Sequence, residues 1–113
     1  MRYMLMIYQD EEEFVAMDPG EVPDDAEPMP WVREMDARGV LKSGNVLRPA
    51  SDATTVRVRD EDTLLSDGPF AESKEQIAGY VIIECQDLDE AIEVASKHPA
   101  AGFGTIEVRP FWE

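Results

Sequence analysis

One short segment, Asp67 to Tyr80 with the sequence DGPFAESKEQIAGY, concentrates the residue types that could do chemistry. The carboxylate of Asp67 could act as a general base or orient a ligand, with Phe70 as an apolar wall beside it. Gly68 and Pro69 form the turn between Asp67 and Phe70 and set the directions of these two side chains. Glycine adopts backbone angles that other residues avoid, and proline fixes φ. In the alternative, structural interpretation, Asp67 is a turn residue that accepts hydrogen bonds from nearby backbone N–H groups, and Phe70 is a core residue.

Charged residues continue this segment. Lys74 could supply positive charge to an anionic group, and Glu72 could supply a second carboxylate. The alternative for both is a solvated charged loop, since most clusters of surface charge are solvated. Gly79 then interrupts an apolar run, which indicates a β-bulge, the close approach of another backbone or ligand, or tight packing beneath a helix.

The remaining reactive side chains are few. His98 is the only histidine, and it follows Lys97 at the end of a predicted helix, where a cation meets the negative end of the dipole. Cys85 is the only cysteine, so no internal disulfide forms, and its position in a strand favours a small core residue. The chain has no metal-ligand spacing, glycine-rich phosphate loop, GxSxG or HExxH motif. The sequence therefore predicts no metal and no cofactor.

Composition restricts the partners. The chain has 113 residues and a net charge of −15, from 25 acids against 10 bases. This charge repels phosphate backbones and anionic membranes, so we expect no nucleic-acid partner and no membrane binding. The first residues lack the pattern of a signal peptide, and no segment is apolar for long enough to cross a bilayer. We expect a single domain, residues 1–113, in the cytoplasm.

Apolar patterning predicts four main strands, two of them apolar on both faces. Their bounds are Arg2 to Gln9, Leu41 to Leu47, Ile77 to Cys85 and Thr105 to Phe111. A hairpin is predicted before the central segment, with strands Thr54 to Arg59 and Thr63 to Leu65 around the turn Asp60 to Asp62. The arginines on one face of this hairpin should be solvated or meet acids.

Two helices are predicted between the strands. The first begins near Pro28 or Pro30 and ends at Gly39, since proline suits a first helical turn and glycine a C-terminal stop. The second has Asp87 as its N-cap and ends before Pro99. Its apolar stripe is Leu88, Ala91, Ile92 and Ala95. Residues 10–30 are the least regular part, with a short helical turn predicted from Glu11 to Met17.

The order strand, helix, strand, hairpin, strand, helix, strand predicts an α+β fold of the ferredoxin-like type. Two helices can cover only one face of such a sheet, yet the first strand and the Ile77 strand are apolar on the other face too. The same face of a second chain is the simplest cover, which predicts a two-fold homodimer.

Four blocks of the sequence resemble the YCII-related proteins that carry the DGPF signature: MRYMLMIYQDE, ATTVRVRDEDTLLSDGPFAESKEQIAGYVIIE, DLDEAIEVASKHPAA and IEVRPF. The resemblance covers the chain except for about residues 14–30. It implies a dimeric α+β barrel in a family whose activity is largely unsettled. Because some relatives are fused to or encoded near extracytoplasmic-function sigma factors, it also implies a functional link to a sigma factor.

Some YCII-type relatives have been suggested to be enzymes, because a His–Asp pair lies in a cleft in an arrangement like that of muconolactone isomerase. The present sequence departs from that pattern, because residues 10–39 contain no histidine. The resemblance carries over Asp67, Gly68, Pro69 and Phe70 as the signature, with Glu72 and Lys74 as its continuation.

Three functions remain open at this point. The first is a dimeric module that binds a small molecule or a regulatory partner near the signature, with Gly68, Pro69, Phe70, Glu72 and Lys74 as ligand-binding residues. The second is an isomerase- or lyase-like enzyme acting on a small carbonyl compound, with Asp67 as the catalytic base. The third is a purely structural dimer, since folds of this type host many functions.

Overall fold

A computed structural model gives the structure of the chain, which it describes at residues 1–10, 12 and 29–113. The fold is α+β, as the order of the predicted elements indicated. Its strands and helices, in chain order, are β1 (Arg2–Asp10), α1 (Pro30–Ala37), β2 (Leu41–Val46), β3 (Thr54–Arg59), β4 (Asp62–Asp67), β5 (Glu75–Glu84), α2 (Leu88–Ser96) and β6 (Thr105–Pro110). Short 3₁₀ turns cover Ala50–Asp52 and Pro99–Gly102. The helical turn predicted from Glu11 to Met17 lies outside the described residues except for Glu12.

Four strands form one antiparallel sheet in the order β2-β5-β1-β6. The centre is occupied by β5 and β1, the two strands whose sequence is apolar on both faces. A β-bulge at Ala78 interrupts their register, where Ile7 pairs with Gly79 and Tyr8 pairs with Ile77. A side chain at Gly79 would come within 2.9 Å of the Asn45 carbonyl oxygen. Gly79 therefore marks both a bulge and a close backbone approach.

Both helices pack on one face of this sheet. The core between them consists of side chains from β1, β5, α1 and α2, with Leu5, Met35, Ile83 and Val94 almost fully buried. Trp31 anchors α1 to α2, because its indole Nε1 donates to the Val94 carbonyl oxygen at 2.9 Å.

Four charged residues join the outer surfaces of the two helices. The Arg38 guanidinium makes paired hydrogen bonds of 3.2 and 3.0 Å to Glu93, which hold the pKa of that carboxyl below its usual range. Lys97 bridges Glu34 and Glu93 at 3.2 and 3.3 Å. These groups are largely exposed, so the network fixes the relative position of the helices more than it stabilises the fold.

The second helix differs from its prediction in which residues it buries. Asp87 is the N-cap as predicted, and its carboxylate accepts the Glu90 N–H at 2.9 Å. The buried residues are Ala91, Val94 and Ala95, whereas Leu88 and Ile92 are 48% and 51% exposed. The predicted apolar stripe is therefore wrong at two of its four positions, and one edge of the helix leaves an apolar strip uncovered.

The hairpin of β3 and β4 forms a separate two-stranded sheet. Its second strand is longer than predicted, because Asp62 pairs with Arg59 and Asp67 pairs with Thr54. Only Asp60 and Glu61 make the turn, both with positive φ, as a two-residue hairpin loop requires. The predicted three-residue turn is thus too long by one residue. We call residues 54–67 the arm.

No helix among the described residues is long and apolar enough to span a lipid bilayer.

Candidate functional site

The signature turn lies at the base of the arm. Asp67 is the last residue of β4 rather than a loop residue, and the Gly68 N–H donates to the Ala53 carbonyl oxygen at 2.7 Å. The Thr55 hydroxyl donates to the Gly68 carbonyl oxygen at 2.9 Å. Gly68 has a φ of +95°, where a residue with a Cβ would be strained. The backbone at this turn is therefore fixed from two sides.

The two side chains that the sequence singles out at this turn are both exposed. The Asp67 carboxylate makes no hydrogen bond or ion pair with any other described residue, so it is not the backbone-capping residue of the alternative interpretation. Phe70 is 74% exposed, and the Arg57 guanidinium lies over its ring at 4.8 Å from the centroid. The interpretation of Phe70 as a core residue is wrong.

The continuation of the signature leads along the surface to the start of β5. The Lys74 ammonium lies 3.5 Å from an Asp10 carboxylate oxygen, so its charge is offset within the chain. The Gln76 amide donates to the carbonyl oxygens of Ala71 and Ser73, which orders this stretch. Glu72 is exposed. Among the described residues, the structure thus brings Lys74, but not Glu72, into an ion pair at the end of β1.

The sheet face opposite the helices is a second uncovered surface. Directly paired residues share a face, so the register places eleven positions of β2, β5, β1 and β6 in three rows. We call this surface the open face. Its members are Ser43, Ile82, Met4 and Arg109 in the first row, Asn45, Tyr80, Met6 and Glu107 in the second, and Ile77, Tyr8 and Thr105 in the third. No described helix packs on it.

Polar groups on the open face are the residues that the sequence reasoning missed. Neither the Tyr8 nor the Tyr80 hydroxyl makes a hydrogen bond within the described part of the chain. Glu107 has one buried carboxylate oxygen, and Arg109 is its ion-pair partner. The alternation of Ile106 and Val108 with these charges was the available signal, because a period of two places the charges on the face away from the helices.

His98 belongs to the packed core rather than to this face, and its predicted role is wrong. It is only 8% exposed, and its ring meets the Trp31 ring edge-on with centroids 4.7 Å apart. Its Nδ1 accepts the Ala100 N–H at 3.0 Å and thereby caps the turn Pro99–Gly102. Burial lowers the pKa of His98, so the ring is neutral at neutral pH and is not a cation at a helix end.

This geometry predicts a pH dependence of stability. The pKa is near 6.5 in the unfolded chain and lower in the fold. Below about pH 6.5 the unfolded chain gains a proton that the native ring resists, so the free energy of unfolding falls until pH passes the folded pKa. Urea unfolding between pH 7.5 and pH 5.5 measures this slope, because Asp and Glu side chains titrate mainly below this interval.

The matched control for that slope is His98→Asn, whose side-chain oxygen can still accept the Ala100 N–H but does not titrate. The difference in unfolding free energy between the native chain and His98→Asn should shrink as the pH falls. A difference that is constant over this interval would contradict a buried neutral His98.

Cys85 carries no sign of reactivity. Burial raises the pKa of its thiol, and the nearby Glu90 adds to the effect. The Sγ atom is directed at the Asp87 carbonyl oxygen at 3.4 Å. A protonated, buried thiol is a poor nucleophile, as the prediction of a small core residue implied. Among the described residues, no group of three or more His, Cys, Asp and Glu side chains could hold a metal ion.

These observations define a small α+β protein with helices on one face of a four-stranded sheet and a partly polar open face on the other. The family model of the YCII-related domain matches residues 1–113, so the chain belongs to the YCII-related family. It is also 43% identical over 75 residues to an uncharacterized protein of Rhizobium meliloti (strain 1021). That match covers 61% of this chain and 59% of the relative, so it spans less than two thirds of the relative's length.

Proposed function

We propose that this chain, a member of the DGPF subgroup, forms a two-fold homodimer of the dimeric α+β barrel type, and that the dimer binds a small molecule on the open face. The strand order β2-β5-β1-β6, with both helices on one side, supports the ferredoxin-like arrangement from which such barrels are built. The sequence Asp67-Gly68-Pro69-Phe70, with its fixed turn, supports the subgroup.

The observation that carries the binding function is the pair of tyrosines on the open face. Tyr8 and Tyr80 stand among Met4, Met6 and Ile82, and their hydroxyls have no partner among the described residues. Once a second chain encloses this face, each hydroxyl needs a hydrogen-bond partner, because an unpaired buried polar group is costly. A bound ligand with an oxygen acceptor supplies that partner.

The charges nearby restrict the ligand. The cation of Lys74 is offset by Asp10, and the cation of Arg109 is offset by Glu107. Neither leaves an uncompensated positive charge for a strongly anionic molecule, which the net charge of −15 also disfavours. An apolar small molecule with a carbonyl or hydroxyl group fits this combination of apolar and hydrogen-bonding surface.

Thermal unfolding in the presence of small carbonyl and hydroxyl compounds tests this function. A ligand at about 100 times its Kd stabilises the native state by about 2.7 kcal/mol. For a domain of this size, that raises Tm by about 10 °C. Tyr80→Phe should raise the apparent Kd of the ligand about tenfold and so reduce the Tm shift, since one hydrogen bond to the ligand is lost.

Tyr3→Phe is the matched control, because it removes the same atom on the helix-covered face, where Tyr3 is 2% exposed. This variant should retain the ligand-dependent shift. A panel in which no compound raises Tm, or a shift that Tyr80→Phe leaves unchanged, would argue for the purely structural dimer. The functional link to a regulatory partner such as a sigma factor stays a prediction.

One observation favours an enzyme as the second candidate. The Asp67 carboxylate is exposed and unpaired among the described residues, so it is free to accept a proton once a second chain or a ligand covers it. With any carbonyl compound that binds, Asp67→Asn should lower turnover by about 10²–10⁴-fold and leave the thermal shift intact. Asp62→Asn, an exposed arm residue on the opposite face, serves as the control.

A further inference from the structure

The arm is almost wholly uncovered. Eleven of its twelve strand residues are exposed. The register puts Val56, Val58 and Leu65 on one face, and their exposed fractions are 59%, 57% and 67%. A lone two-stranded hairpin is marginally stable in water, so this apolar face needs a surface to pack on.

The contacts that hold the arm to its own chain lie at its base or on its other face. The Gly68 N–H closes the base on Ala53, and Arg57 stacks on Phe70 from the face that bears the arginines. No described contact covers Val56, Val58 or Leu65 beyond their own cross-strand pairs. No described residue of the protomer therefore covers this face.

A complementary apolar groove of about 380 Å³ lies at the other edge of the main sheet, between α2 and β6. Its lining contains no charged residue and no residue of the arm; it consists of Ile92, Ala95, Ser96, Ala101, Gly104, Thr105, Ile106 and Val108. This is where α2 exposes Ile92, against the prediction that the residue is buried. An element of another chain that fills the groove would cover Ile92 and explain why an apolar residue is exposed there.

The edge of the sheet beside the groove is also available. β6 pairs only with β1, so its outer N–H and C=O groups have no strand partner among the described residues. Its six residues match the six of β3 and the six of β4. Edge strands of matched length recognise one another by adding to the ladder.

We propose that the arm of one chain docks in the α2–β6 groove of a second copy, with an arm strand added to the edge of β6. The occupant is a second copy because the docking residues Val56, Val58 and Leu65 and the lining of the groove carry no charge. In a chain of net charge −15, two copies approach with the least repulsion where such uncharged surfaces meet. The arm lies between β2 and β5 in the chain, and these two strands are at the end of the sheet away from the groove at β6.

The area of contact fits a stable dimer. With strands about 4.8 Å apart and about 3.3 Å per residue, the open face spans roughly 400 Å², and an arm of two six-residue strands roughly 200 Å². One protomer contributes its open face, its arm and a seat for the partner's arm, which together approach the roughly 800 Å² per partner of a standard interface. The open face alone would supply about half of this.

This inference rests on the proposed dimer, and cysteine cross-linking separates the two. In a Cys85→Ala background, Val56→Cys, Val58→Cys and Leu65→Cys chains are each mixed with Ile92→Cys chains that carry a different tag. A docked arm holds the thiols at an effective concentration of order mM, so at least one pair should cross-link about 1,000-fold faster than free chains at about 1 µM. The control pair is Val46→Cys with Ile92→Cys, because Val46 is an exposed apolar residue outside both surfaces.

Sedimentation of the same mixtures fixes the interpretation. Fast cross-linking of an arm variant to Ile92→Cys, with the control pair slow, supports the docked arm. Dimers that persist while all three arm variants cross-link no faster than the control overturn the docked arm and leave the dimer. Chains that stay monomeric overturn both the docked arm and the dimer on which the proposed function depends.

Discussion

Trp31→Ala is expected to lower the free energy of unfolding by about 3–5 kcal/mol, the usual cost of truncating a buried aromatic residue. Trp31 is 5% exposed, its Nε1 donates to the Val94 carbonyl oxygen, and its ring meets that of His98. The substitution therefore leaves a cavity between the helices and a buried carbonyl without its donor. Urea unfolding followed by far-UV circular dichroism measures the effect at a fixed protein concentration.

The second tryptophan provides the control. Trp112 is fully exposed, so Trp112→Ala should change the free energy of unfolding by no more than about 0.5 kcal/mol. Trp31→Phe keeps most of the volume but loses the indole donor, and should cost about 1–3 kcal/mol. Near-equal stabilities of Trp31→Ala and Trp112→Ala would mean that Trp31 does not join the helices as described.

The central strands and both helices were predictable because their signals are local. Alternation of apolar residues from Ile77 to Cys85 separates the two faces of β5, and the burial of Val81 and Ile83 follows from it. Pro30 and Gly39 define α1 from within its own sequence, through a fixed φ at one end and a φ of +73° at the other.

The errors arose where a residue's surroundings are set by distant parts of the chain. Leu88 and Ile92 satisfy the helical pattern but are about half exposed, and Ile92 borders the open groove at β6, the last strand of the sheet. His98 was expected to be a cationic residue at the C-terminal end of a helix, but burial against Trp31 desolvates its ring and favours the neutral form. Neither the edge of a sheet nor a contact between rings 67 positions apart can be recognised from neighbouring residues.

The candidate site was predicted in part for the same reason. Glycine at position 68 indicated a fixed turn, and the positive φ and the bond to Ala53 agree with that local signal. The tyrosines of the open face become candidates only when the strand order places Tyr8 and Tyr80 on neighbouring strands of one surface. The free hydroxyls are a property of the sheet, not of the segment around Asp67.

The open face yields the second large expected effect, on association. In the proposed dimer, Ile82→Glu should raise the dissociation constant by about 10²–10⁴-fold, because an unpaired charge buried at an interface costs about 3–5 kcal/mol. Sedimentation equilibrium of the native chain and the variant measures the change. The folded protomer should be retained, since Ile82 is only half-buried on a face that no described helix covers.

Val46→Glu is the matched control for this variant, because Val46 is 58% exposed and lies outside the open face. It adds the same charge to a chain that already has 25 acids, so any change that it causes reports general repulsion between copies. If Ile82→Glu weakens association no more than Val46→Glu does, the open face is not the dimer interface. The Tyr8 and Tyr80 hydroxyls would then remain in water, where they need no ligand, and the binding function would lose its physical basis together with the dimer.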